Sequence, residues 1–285
     1  MLSPVRSLLT VTLIFLKAVS VRAETSLVIQ GVDHVPVAVS DLERSTADFE
    51  ALGFTLKPGR PHENGLHNAH VKFPDGTEIE LITSPAATDA LSSEYHTWIK
   101  TGDGPAYLGI YAPNYGRLVE SVSPLGLTLE RKGGLATFAE DTTLRRVFFA
   151  SRQYSPTDQP RHFDHANSAF SLTSVWMAGA EAEQRLLQSL DGLPVKEPRC
   201  GPLGSGSVLK MPEGEIIFLP ASAQLIPNRS IVGVSVTVRS LERARSVLTQ
   251  NRIPLRTLAE CDSQSVWVGP AAAHGMWIDF RQGSE

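Results

Sequence analysis

The sequence predicts an α+β chain made of four copies of a βαβββ unit, paired into two domains. Three observations lead there. Residues 31–85 run in the order strand, helix, strands, with the apolar alternation of VDHVPVAV giving way to the helical spacing of LERSTADFEALG. Residues 104–127 (GPAYLGIYAPNYGRLVESVSPLGL) then align without a gap on residues 31–54, so that Gly126 falls on Gly53. The same order returns from Phe170 and again from Ile231, closing on GEIIFLP (Gly214 to Pro220) and HGMWIDF (His274 to Phe280), counterparts of TEIELI (Thr77 to Ile82). A unit of about 50–60 residues cannot bury its own sheet face, but two side by side form a curved sheet with helices outside.

Each element of the first unit has a local cause. Val32 to Val39 reads as a strand, Ser40–Asp41 supplies an N-cap, and Gly53 stops the helix. An Asp75–Gly76 turn precedes the last strand. Between helix and last strand lies a polar loop carrying His62, His67 and His70. The first domain is read as residues 26–150 and the second as 170–285, joined by the polar, Pro-containing stretch 151–169. Residues 85–103 read as a Ser/Thr/Ala-rich link between units one and two, and Ala221 to Arg229 joins units three and four.

Composition narrows the class. The 285 residues are 42% hydrophobic and 20% charged with a formal net charge of −4, and the basic residues are scattered, so no nucleic-acid partner is expected. Residues 1–23 read as a signal peptide: Arg6 before the apolar run Ser7 to Leu16, then Val21-Arg22-Ala23 ahead of Glu24. The expectation is an exported protein, periplasmic or secreted, with no membrane span after cleavage. An oxidising compartment allows a disulfide between the two cysteines, Cys200 and Cys261. No C-x-x-C, G-x-S-x-G, H-E-x-x-H or P-loop motif occurs.

Several short motifs stand out: Asp33-His34 in the first strand, His62, Gly65 and Asn68-Ala69 in the loop, and Glu80-Leu81-Ile82 in the last strand. Phe148-Phe149 and His165-Ala166-Asn167-Ser168-Ala169 follow further on. On these the chain resembles the glyoxalase-like branch of the vicinal oxygen chelate superfamily, over roughly residues 26–282. The resemblance implies cup-shaped sheets from paired modules, with metal ligands on the first and last strand of each module. His34 and Glu80 fill those positions in unit one; their counterparts in unit two are Tyr107 and a position near Phe148. In units three and four they are Thr173, Gly233, Phe218 and Asp279, a single carboxylate and no metal site. Where the branch has a Gln-His after the second-unit Phe-Phe, this chain has Arg152-Gln153-Tyr154.

Two readings of the site stay open. In one, His34 and Glu80 with His67 or His70 hold a divalent metal (Zn, Fe, Mn or Ni). In the other, His34 and Glu80 form a metal-free acid–base pair. Asn68 is a candidate catalytic residue that would hydrogen-bond a substrate carbonyl, or else satisfy loop backbone. His67, Tyr107, His165 and Asn167 are candidate substrate-binding residues, the last two alternatively holding the domains together. His62, His162 and His274 read as surface residues. The expected function is a lyase or isomerase acting on a small, oxygen-rich substrate by proton abstraction beside a carbonyl. The alternative is a non-catalytic small-molecule binder using Tyr107, Tyr111 and Trp98. A monomer or a homodimer is expected, the second domain being a degenerate copy.

Overall fold

The computed structural model describes residues 27–139, 143–152, 154–191, 195–258 and 264–283. The signal-like segment, Gln153 and Cys261 lie outside the described residues. The first module comprises β1 (Gly31–Val32), β2 (His34–Ala38), α1 (Leu42–Ala51), β3 (Lys57–Pro58), β4 (His67–Lys72) and β5 (Glu78–Thr83). Helix α2 (Ala90–Ile99) leads to the second: β6 (Gly104–Pro105), β7 (Leu108–Tyr111), α3 (Tyr115–Val122), β8 (Leu129–Lys132), β9 (Leu135–Phe138) and β10 (Val147–Ala150). A 3-10 turn at Pro160–Phe163 precedes the third: β11 (Ala169–Ala178), α4 (Glu181–Asp191), β12 (Val195–Gly201), β13 (Gly204–Met211) and β14 (Gly214–Leu219). The fourth comprises β15 (Ile231–Val238), α5 (Leu241–Gln250), β16 (Leu255–Arg256), β17 (Ser265–Val268) and β18 (Trp277–Gln282).

Helix starts follow side-chain chemistry. Asp41, Asn114 and Ser240 each accept the backbone N–H three residues on, satisfying a donor the helix itself leaves unpaired. The stretch read as a plain link between units one and two contains α2. Asp89 and Ser92 form a reciprocal capping box there, and the helix buries Tyr95 and Trp98.

The third and fourth modules meet through their first strands in one eight-stranded sheet, β12-β13-β14-β11-β15-β18-β17-β16, with β11 and β15 antiparallel. The first and second modules repeat the arrangement with one break. Their first strands exchange partners. β1 pairs with β7, Gly31 opposite Tyr111, and β2 pairs with β6, Val37 opposite Pro105. Two five-stranded sheets result, β3-β4-β5-β2-β6 and β1-β7-β10-β9-β8. Asp33, between β1 and β2, marks the crossing and stands next to His34.

The halves, read from sequence as separate domains, share one apolar core. Phe54 from the first half stacks on Phe280 from the last strand, ring centroids 5.6 Å apart, inside a continuous cluster of buried side chains from both halves. Gly53 is required at this seam. Its φ is +89°, and a Cβ there would lie 2.8 Å from Val247 and 2.9 Å from Asn167. Cys200 is disulfide-bonded.

Candidate active site

Alternation along three neighbouring strands builds the site. Side chains two apart share a sheet face, so β2 offers His34, β4 offers Asn68, His70 and Lys72, and β5 offers Glu78 and Glu80, all to one concave side. Register sets who meets whom. Glu78 lies opposite both His34 and Lys72, and Glu80 opposite His70. These groups line a cavity of about 910 Å³.

Hydrogen bonds fix the roles. His34 Nδ1 lies 2.5 Å from Asp33 Oδ1 and, facing a carboxylate, carries a proton there, which turns Nε2 toward Glu80 Oε2 at 3.8 Å. Asn68 Nδ2 donates to Glu80 Oε1 at 2.6 Å, leaving Oε2 as the oxygen that faces His34. His70 Nδ1 and Lys72 Nζ each sit 3.5 Å from a Glu78 oxygen. Gly59 makes room for this. A Cβ on it would lie 1.7 Å from Asn68 Oδ1.

The charges decide protonation. Burial alone would lower the His34 imidazole, but the Asp33 hydrogen bond and the charges of Asp33, Glu78 and Glu80 push it up to about 9. His70 is raised in the same way against its own burial, by Glu78 and Glu80. Burial would raise Glu78, yet His70, His34 and Lys72 hold it down at about 2. His34 is therefore an imidazolium at neutral pH, facing a carboxylate.

The structure brings His34, Glu80, Asn68 and His70 into the cup and places other candidates elsewhere. His67 lies on the opposite face of β4 and is exposed, because only even-numbered residues of that strand point inward. Tyr107 is buried in a separate aromatic cluster with Tyr95 and Trp98. Its hydroxyl donates to Glu94 at 2.5 Å, and Glu94 is also held by Arg145. His165 and Asn167 are buried clamps rather than cup residues. His165 Nδ1 accepts from the Thr55 amide and Nε2 donates to the Lys72 carbonyl, both at 3.0 Å. Asn167 donates to the Leu52 carbonyl and accepts from the Ala169 amide. Burial pushes the His165 pKa down, in keeping with a neutral ring.

Three histidines read as surface residues are not. His62 and the buried His162 line the cavity. His274 bridges Asp103 (2.8 Å) and Asp48 (3.2 Å). Sequence reasoning missed Glu78 and Lys72, and it singled out Asp33 without giving it a role. Two-residue alternation counted from Glu80 and His70 selects Glu78 and Lys72. Glu215, overlooked in the second half, is buried with Ser174 Oγ at 3.0 Å and Arg199 as partners. The second cup is filled by Trp176, Trp267 and Trp277.

A cup closed by paired βαβββ modules, with His and Glu on the first and last strands of one of them, defines a protein of the vicinal oxygen chelate superfamily. The chain belongs to the glyoxalase-like domain family, whose model matches residues 32–191. No curated protein has a matching sequence. Among solved structures, a mutant of 4-hydroxymandelate synthase from Streptomyces coelicolor is similar at 10% identity and TM-score 0.63, over 90% of this chain and 94% of that one. So is 2,2',3-trihydroxybiphenyl 1,2-dioxygenase from dibenzofuran-degrading Sphingomonas wittichii strain RW1, at 14% identity and TM-score 0.59, over 90% and 91%. A xylose isomerase-like TIM barrel/4-hydroxyphenylpyruvate dioxygenase fusion protein matches at 12% and 0.60, where this chain covers only 50% of that protein. At these identities the likeness is one of fold.

The donor set does not complete the metal site that the fold family implies. His34 and Glu80 stand in the expected positions, and Asp33 holds the far nitrogen of His34 as the second partner of a ligand histidine does. The second module, however, turns the Tyr107 hydroxyl away to Glu94 and lays the Phe148 ring 4.7 Å from the His34 ring. His67 faces out and His70 turns to Glu78. Among the described residues no three His, Cys, Asp or Glu side chains converge on one point, whereas a catalytic site needs about three protein ligands.

Proposed function

We propose that the chain is an exported enzyme, a lyase or isomerase, that moves a proton beside a carbonyl on a small oxygen-rich molecule. The observation that carries this is the pairing of a protonated His34 with a Glu80 carboxylate inside one walled cavity. Glu80 Oε2 takes the proton from the carbon next to the carbonyl. The C–H electron pair becomes the double bond of an enediol while the carbonyl π pair moves to oxygen, and His34 Nε2 gives that oxygen a proton. Return of a proton to the neighbouring carbon yields an isomer; departure of a β-substituent with its electron pair yields a lyase product. Asn68 holds Glu80 in place, and the Asp33 carboxylate keeps the imidazole oriented.

The sequence supports export through the apolar run after Arg6, and the disulfide at Cys200 fits an oxidising compartment. None of the described helices is long and apolar enough to cross a membrane. The aromatic-binder alternative loses two of its three named contacts, since Tyr107 and Trp98 are packed away from the cup.

The test is exchange of the α-carbon proton in D2O, followed by NMR with dihydroxyacetone, dihydroxyacetone phosphate and hydroxypyruvate. Wild-type protein accelerates exchange in at least one of them. Glu80→Gln and His34→Gln each cut the rate by at least about a hundredfold, the usual worth of a positioned acid or base. Binding of these compounds without any exchange above the solvent rate would instead make the protein a binder.

A further inference from the structure

The charged groups of the cup divide into those paired within the protein and those left open. The floor carries Glu78 and Glu80 with His34 and His70. Beside them, Lys57 is bound by Asp158 at 2.5 Å, and Lys72 by Asp158 at 3.0 Å and Glu78 at 3.5 Å, so both are paired within the protein. Arg152 is likewise engaged, with Glu213, the Val32 carbonyl and the Tyr111 ring as partners. Two cationic groups at the rim remain. Arg60, just beyond β3, and Arg161, in the 3-10 turn, are exposed, line the cavity, and make no side-chain hydrogen bond or ion pair among the described residues.

Each arginine is accompanied by a histidine facing the same cavity. His62 Nε2 is buried and has no hydrogen-bond partner among the described residues. His162 Nδ1 accepts the Gln159 amide N–H at 3.1 Å, so the neutral ring carries its proton on Nε2 and is a donor there. Two chain segments, one before β4 and one from the interdomain stretch, thus each bring an arginine and a histidine to the cavity. Of the five Lys or Arg among the lining residues, Lys57, Lys72 and Arg152 are engaged by Asp158, Glu78 and Glu213, which leaves Arg60 and Arg161 as the cations open to an anion. Guanidinium groups recognise the paired oxygens of a carboxylate or a phosphate better than any other group on a protein surface.

We propose that the rim is an oxyanion subsite: Arg60, Arg161, His62 and His162 receive a carboxylate or phosphate of the ligand, and its hydroxycarbonyl end reaches His34 and Glu80. The substrate is then an acid or phosphate ester of a small hydroxycarbonyl compound, not a neutral sugar or an aromatic. The inference rests on the proton-transfer reading only for which end of the ligand lies at the floor.

The test titrates the full chain calorimetrically with inorganic phosphate and, separately, with glycolate, at low and at high salt. Wild-type protein binds at least one of them, more weakly in high salt because the arginines are exposed. Arg60→Gln and Arg161→Gln each weaken binding about tenfold, in line with the strength of a hydrogen bond to a charged group. Arg44→Gln, on the outer face of α1, leaves binding unchanged. Phosphate alone binding in this pattern marks a phosphate ester; glycolate alone marks a carboxylate. No binding of either anion by wild-type protein, or binding that neither rim variant weakens, overturns the proposal. That failure stays distinct from failure of the acid–base pair, which is read by exchange rates in the Glu80 and His34 variants.

Discussion

At the scale of single residues, the site depends on a protonated His34 and a Glu80 held by Asn68. Because the folded pKa of His34 is raised to about 9, the acid is present at neutral pH and is lost as pH climbs through that value. The α-proton exchange rate should therefore fall above about pH 9, and an alkaline limb near the ordinary histidine value of about 6.5 would contradict the assignment. Gly59→Ala drives a methyl group into the Asn68 side chain and carbonyl, at 1.7 and 2.5 Å. Urea denaturation should show about 1–3 kcal/mol of lost stability, with slowed exchange as Asn68 leaves Glu80. His165→Ala should cost about 3 kcal/mol by stranding the Thr55 amide and the Lys72 carbonyl, yet leave glycolate and phosphate affinity unchanged. A loss of affinity at equal stability would return His165 to the site. His34 and Glu80 were legible because alternation along a recognisable first and last strand aims them inward, and Asn68 because it follows Gly65 in the short motif after the helix. His67 was misjudged because the register of β4 decides its face, and register is set by partners far off in the chain.

At the scale of elements, the crossing of first strands at Asp33 brings β10 and its Phe148 ring against His34, so the second module supplies a wall rather than ligands. The gapless repeat made the modules readable. It could not show the exchange of strand partners, which is a property of two modules together. Helix α2 was hidden by its Ser/Thr/Ala-rich composition; its start lies in the Asp89–Ser92 capping box and its anchor in Tyr95 and Trp98. Between elements, His274 ties the loop before β18 to Asp103 ahead of β6 and to Asp48 of α1. Burial opposes ionisation of Asp103, but the His274 hydrogen bond and the Ser40 amide outweigh it and lower its pKa. A depressed carboxylate stabilises the fold above its unfolded pKa, about 3.9, and that contribution disappears as pH falls through the lower folded value. Asp103→Asn should flatten the acid limb of the urea midpoint below about pH 4, and parallel curves for variant and wild type would count against this clip.

At the scale of the whole molecule, four modules make one core, with Phe54 and Phe280 stacked across the seam. Composition and repeats indicated two domains and could not reveal that their inner faces meet, since tertiary contact between Phe54 and Phe280 leaves no local pattern. A chain cut after Ala150 would bare that face. It should aggregate or bind a hydrophobic dye, and a cooperative monomeric unfolding transition in the fragment would show the halves to be independent. The second half keeps the cup but fills it with Trp176, Trp267 and Trp277, and its two strand carboxylates are bound, Glu215 by Ser174 and Arg199 and Asp279 by Ser235 and Arg281. The central claim is that only the first cup does chemistry. The most direct test compares α-proton exchange in Glu80→Gln and Glu215→Gln side by side. The account predicts at least about a hundredfold loss in the first and a rate within about twofold of wild type in the second. Equal losses in both, or loss in Glu215→Gln alone, would contradict it.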